Sequence, residues 1–266
     1  LGDDDPVVYE AVHGQLLMQG AESVDWLRPL LLSPDPVLRR RAREIIGHFS
    51  RQIADTLFLE FCLKQGEDLD LETGAWLLAT TQFPDINVEG YRAVLDDFAS
   101  DIRERLPLSG DAEEMLRGIN RYVFGTLGFH GNEENYYDPD NSYLNRVIDR
   151  RTGNPISMCL TYLLLARRLK LPVTGIGLPG HFICRFQSSA AEIFIDPFNA
   201  GRLLSKADCV HYLLQGNFSV RDDYLAPVSP RRLLLRICAN LHQIYLRQEL
   251  DQETTRLQRY LVALTR

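Results

Sequence analysis

Cys159, His181 and Asp196 follow one another in the stretches "GNPISMCLTYLLLARRLKLP", "PGHFICRF" and "IFIDPF". A thiol, an imidazole and a carboxylate in that order can form a nucleophilic relay. The thiolate attacks, the imidazole moves the proton, and the carboxylate orients the imidazole. His181 and Asp196 stand 15 positions apart, enough for one strand, a turn and the next strand. Side-by-side placement across a hairpin is therefore expected. Each residue also has a plainer role. An unpaired Cys is commonly buried, a His after Pro-Gly can be a hydrogen-bonded strand residue, and an Asp before Pro can form a turn.

These residues need a helix and a small sheet to hold them. A helix over 155–169 opens at Asn154–Pro155, an N-cap followed by the proline of the first turn. After it the period changes. "PVTGIGL", "HFICRFQ" and "AEIFIDPF" are short, β-rich and separated by Gly or Ser, and read as consecutive strands. Residues 141–204 thus form an α+β unit, a helix packed on a small antiparallel sheet. Helical periods precede it: "DLETGAWLLATTQF", "NVEGYRAVLDDFASDIRERL" and "DAEEMLRGINRYVFGTLGF". The polar loop that begins at His130 contains Asp138 and Asp140, but it lacks the glycine and terminal Glu of an EF-hand.

Asp5-Pro6-Val7 recurs as Asp35-Pro36-Val37. Each Asp-Pro has the form of a helix start, and each is followed by two apolar stretches. This predicts two helix pairs in a HEAT-like repeat over residues 1–66. Residues 229–266 read as one more helix pair of tetratricopeptide type, with Leu241 and Tyr245 on its first helix.

The segments "GFHGNEENYYDPDNSYLNRVIDRRTGNPISMCLTYLLLARRLKLPVTGIGLPGHF" and "IFIDPFNAGRLLS" resemble the bacterial SirB-type transglutaminase-like proteins. The resemblance covers roughly residues 68–250. It implies a transglutaminase-like, papain-like core over 67–228, joined to C-terminal tetratricopeptide-type helices. Active cores of this kind place Gly-x-Cys at the helix start and Arg-x-x-Gly-Ile-Pro at its end. Aligning the end on Arg167–Pro172 puts Gly153 on the glycine and Pro155 on the catalytic cysteine, while Lys170 replaces the helix-ending glycine. Cys159 lies one turn further in, within about 40° of the same face but about 6 Å along the axis. There it has left the free N–H groups that lower a thiol pKa. The resemblance implies that His181 and Asp196 are a retained pair. Asn141, Tyr143, Asn145 and Asn154 are the candidate ligand-binding residues near it.

Composition narrows the field. The 266 residues are 45% hydrophobic and 24% charged with a net charge of −7, which argues against bulk binding of nucleic acid or an anionic membrane. The five cysteines are scattered and form no CxxC pair. No disulfide framework, metal site or cofactor is expected, and reduced thiols point to the cytoplasm. No run reaches the ~18 apolar residues of a membrane span. The opening "LGDDDPVV" lacks the pattern of a signal peptide, and its lack of Met leaves the natural start unassigned. The expected fold is a mostly helical α+β chain with a small antiparallel sheet, flanked by helical repeats. The leading functional expectation is a non-catalytic module that binds a protein partner. The alternative is a cysteine amidase, protease or acyl transferase using Cys159, His181 and Asp196. A third reading is hydrolysis of a small molecule by water activated on His181, which requires an open polar pocket around that residue.

Overall fold

The computed structural model describes residues 1–106, 110–219 and 221–266. The chain divides into two compact units. The first comprises residues 1–60 and 77–86. It holds α1 (Pro6–Gln19), α2 (Ser23–Leu27), residues 36–60 of α3 (Pro36–Lys64) and the end of α4 (Leu71–Gln82). Both Asp-Pro pairs start helices. Asp5 Oδ1 accepts from Val7 N at 2.9 Å and Asp35 Oδ1 from Val37 N at 2.8 Å. Leu27, Ala42, Ile45 and Phe49 form the core of this unit. The predicted repeat differs in its second copy, where α3 runs 29 residues without a break instead of forming a pair. Nothing between Pro36 and Lys64 breaks a helix: there is no further proline, and Gly47 alone costs only ~1 kcal/mol.

The second unit comprises residues 61–76 and 87–266. Its first helical section contains α5 (Val88–Arg105) and α6 (Ala112–Asn120), and α6 widens into a π-helical turn at Arg121–Thr126. Then come β1 (His130–Gly131), α7 (Leu144–Arg150) and β2 (Thr152–Gly153); β1 and β2 pair in parallel. Next is α8 (Pro155–Arg168), which is buried over most of its length.

Four strands follow α8: β3 (Val173–Ile176), β4 (Ile183–Gln187), β5 (Glu192–Asp196) and β6 (Arg202–Leu204). They form an antiparallel meander in sequence order. Cys184 faces Gly175 on one side and Ile195 on the other. The expected first three strands are present, but His181 lies in the turn before β4 instead of on it. α8 covers one face of the sheet. α9 (Lys206–Gln215) contributes to a cluster on Ile176, Ile183 and Phe194 through Cys209 and Leu213.

The chain ends in a helix pair, α10 (Pro230–Arg247) and α11 (Asp251–Leu264). Buried Arg231 ties α10 to its surroundings. Its guanidinium donates to the carbonyls of Leu264, Ala263, Cys62 and Gln65. Four carbonyl acceptors satisfy a buried cation that has no carboxylate partner among the described residues. No helix among the described residues is long and apolar enough to cross a membrane.

Candidate functional site

The antiparallel pairing of β4 with β5 brings the turn before β4 beside the end of β5, so His181 meets Asp196. Nε2 of His181 lies 2.8 Å from Oδ2 of Asp196. An ionised carboxylate only accepts, so Nε2 carries the proton. Nδ1 is left without a hydrogen bond among the described residues. The side chains are 14% and 8% exposed. Asn199 completes the clamp, with Nδ2 on Asp196 Oδ2 at 2.8 Å and its backbone N on Oδ1 at 3.3 Å. Burial pushes the Asp196 carboxyl up, but the bonds and charge of His181 and the bonds of Asn199 outweigh it and hold the group below the usual carboxylate range. The imidazole sits between Phe198, edge-on at 6.1 Å, and Tyr212, tilted at 6.0 Å. Arg236 donates to the backbone carbonyls of Leu178 and His181 and so steadies the turn.

At the N-terminus of α8 the side chains serve the helix itself. Asn154 is the N-cap. Its Oδ1 accepts from Ser157 N at 3.0 Å and its Nδ2 donates to Ser142 Oγ at 2.9 Å. Pro155 occupies the first helical position, where its missing N–H leaves no gap in the hydrogen-bond ladder. Ser157 Oγ donates to Asn141 O. A Cβ on Gly153 would lie 2.5 Å from that hydroxyl, so glycine is required for the close approach.

Cys159 is fully buried. Its S–H donates to Phe182 O at 3.2 Å, and among the described residues no hydrogen bond joins it to His181. Burial raises its thiol pKa well above the ordinary value, and the Cys184 thiol and the Asp196 charge add to the rise. Such a thiol is held in its protonated, unreactive form.

The remaining expected site residues are buried and largely committed. Asn141 accepts from Asn132 and donates to the carbonyls of Asn135 and Tyr136. The Tyr143 hydroxyl meets that of Tyr245 at 2.9 Å. Asn145 is 2% exposed. Asp138 and Asp140 pair with Arg150 and Arg146, which closes the loop with ion pairs. These groups shape the 130–155 segment around the start of α8.

A cleft of about 540 Å3 opens on the His–Asp pair, lined by His181, Asp196, Asn199, Arg202, His211 and Tyr212 among others. Asn199, Arg202, His211 and Tyr212 escaped sequence reasoning, as did Arg236, which holds the turn. Asn199 had a local signal, since Asp-Pro-x-Asn is a turn in which the Asp carboxylate meets the residue three on. Tyr212, His211 and Arg236 lie on later helices with nothing local to mark them. Chemically, the arrangement can orient and polarise a bound water or a polar ligand at Nδ1. It offers no side-chain nucleophile at the helix start.

Residues 89–239, more than half of the chain, match a family described as the transglutaminase-like superfamily. A UPF0162 protein of Xylella fastidiosa is 37% identical over 187 residues, covering 67% of this chain and 66% of the relative. A UPF0162 protein of Pseudomonas aeruginosa is 32% identical, covering 69% and 67%. F-box only protein 21 of Mus musculus is 33% identical over 147 residues, covering 52% of this chain and 23% of that protein. The alignment spans just under two thirds of the Xylella relatives' own length. No solved structure matches the chain.

Proposed function

The chain belongs to the transglutaminase-like superfamily, and from that premise we propose that it is a non-catalytic member acting through protein–protein interaction. The observation that carries this reading is Pro155, a residue with no nucleophile, at the start of α8, the position on which the family resemblance places the catalytic cysteine. The sealed Cys159 supports it, because a thiol whose proton is held on a backbone carbonyl cannot substitute one turn away. The helices on either side suit a binding role. We read α10 and α11 as a tetratricopeptide-type pair, which offers a surface to partners. The SirB-type assignment and a cytoplasmic location belong to the same proposal. The mouse F-box relative fits it as well, since the matched segment is under a quarter of that longer protein. A core that recurs inside a longer chain behaves as a module.

The test is to restore the missing group. Pro155→Cys should give a thiol that reacts with iodoacetamide at neutral pH faster than a free cysteine, and His181→Ala should slow it. A rate no greater than that of a free thiol would mean that Pro155 does not occupy the nucleophile position.

A second reading is favoured by the open polar cleft at His181. The His181–Asp196 pair could activate water against a small substrate there. Ester or amide turnover by the wild-type protein that is abolished in His181→Ala would establish this reading over the first.

A further inference from the structure

A second cleft, of about 640 Å3, opens on the other side of β6 and is lined by Arg117, Arg121, Phe124, Gly201, Arg202 and Leu203 among others. No Asp or Glu lines it, in a chain whose net charge is −7. Arg117 is paired with Glu113. Arg121 and Arg202 have no side-chain hydrogen bond or ion pair among the described residues. Arg117 and Arg121 also suit the C-terminal end of α6, where a cation complements the helix dipole. Bonds from Ser205 lower the pKa of the Asp208 carboxyl and the charge of Arg202 adds to this, but Arg202 forms no ion pair with it among the described residues. It arrives from β6, some eighty residues further along the chain, and lines the same cleft as the helix-end arginines.

The floor of the cleft is held by hydrogen bonds and ring packing. Asn120 Nδ2 donates to Gly201 O at 2.5 Å, and its Oδ1 accepts from Tyr162 OH at 2.9 Å. The Phe124 ring lies parallel to that of Tyr162 at 6.3 Å. A Cβ on Gly201 would overlap Phe124, so the β5–β6 turn presses directly on the ring. Two unusual backbone conformations flank the cleft: the π-helical turn Arg121–Thr126 and left-handed Ala200 at φ 51°. Both kinds of departure are costly and gather at functional sites.

We propose that this cleft binds a phosphate monoester. Arg121 and Arg202 supply two planar donor forks, which match a dianionic phosphate in charge and geometry. Phe124 and Leu203 form an apolar wall for the organic remainder. The site is separate from the His–Asp pair and does not depend on the catalytic status of the protein, although Arg202 borders both clefts.

The test is titration of the full chain with phenyl phosphate and with a phosphoserine peptide at constant ionic strength, read by calorimetry. Arg121→Gln/Arg202→Gln is the test variant and Arg232→Gln, an exposed arginine elsewhere, is the control. Saturable binding should weaken at least tenfold in the double variant and hold in the control, with circular dichroism showing both folded. Preference for phenyl phosphate would assign the monoester to a small molecule, and preference for the peptide would assign it to a protein. No saturable binding at millimolar ligand, or equal weakening in Arg232→Gln, would overturn the proposal.

Discussion

Asn154 shows how far one residue can be read. Its place before Pro155 marks it as a helix N-cap, while the family resemblance suggests a ligand contact. The geometry gives the cap full use of the amide: Oδ1 takes Ser157 N and Nδ2 holds Ser142 Oγ. Both bonds are buried, so truncation leaves unsatisfied groups as well as an uncapped helix. Asn154→Ala should therefore cost about 1–2 kcal/mol, read as a lowered midpoint in urea denaturation. A change within ~0.5 kcal/mol, the range of an ordinary surface substitution, would mean that the cap does not anchor α8. The His181–Asp196 pair was legible at this scale because one hairpin separates its members. The partners around it, Tyr212 and His211 in the cleft and Arg236 on the turn, were not, since only tertiary packing brings them near.

At the scale of elements, α8 is fixed at both ends. Its last turn carries Arg167 and Arg168, which converge on Glu72 in the first turn of α4. Arg168 also reaches Asp96 of α5, and Arg167 reaches Asp70. The Glu72 side chain is only 4% exposed. Burial works to raise its pKa, but the bond and charge of Arg168, the Trp76 N–H and the charge of Arg167 prevail and lower it below the ordinary 4.5. A folded-state pKa below the unfolded one stabilises the protein above the unfolded value, and that stability is lost as pH falls through the folded value. Glu72→Gln should thus destabilise by about 2–3 kcal/mol at neutral pH, less than for a wholly buried pair because Arg167 is half exposed. The gap between variant and wild type should narrow in urea melts taken below pH 4. A gap that stays constant with pH would show that the Glu72 charge is not the source.

Most of these elements announce themselves: the strands by composition, the helices by period and by their Asp-Pro or Asn-Pro starts. The exceptions are instructive. β1 and β2 are two residues each and exist only because distant segments pair. β6 has three residues, too few for a pattern. The unbroken α3 overrides an apparent repeat because similar Asp-Pro starts fix where helices begin and say nothing about where they end.

For the molecule as a whole, the family was legible from dense motifs in the central segment, and the partner or ligand was not, because no surface residue names one. All five cysteines are buried and free, so the chain carries no accessible thiol to report an activated site by accident. That makes thiol chemistry a clean probe of the central claim, that the core lacks a working nucleophile. The decisive measurement is iodoacetamide labelling of the folded wild-type protein between pH 5 and 9, with each modified cysteine mapped by mass spectrometry and His181→Ala as the control. The account predicts that Cys159 labels no faster than Cys62, Cys184, Cys209 or Cys238, reacts fully only after unfolding, and does not respond to loss of the imidazole. Fast labelling of Cys159 near neutral pH, slowed in His181→Ala, would contradict it and establish a His-activated thiol.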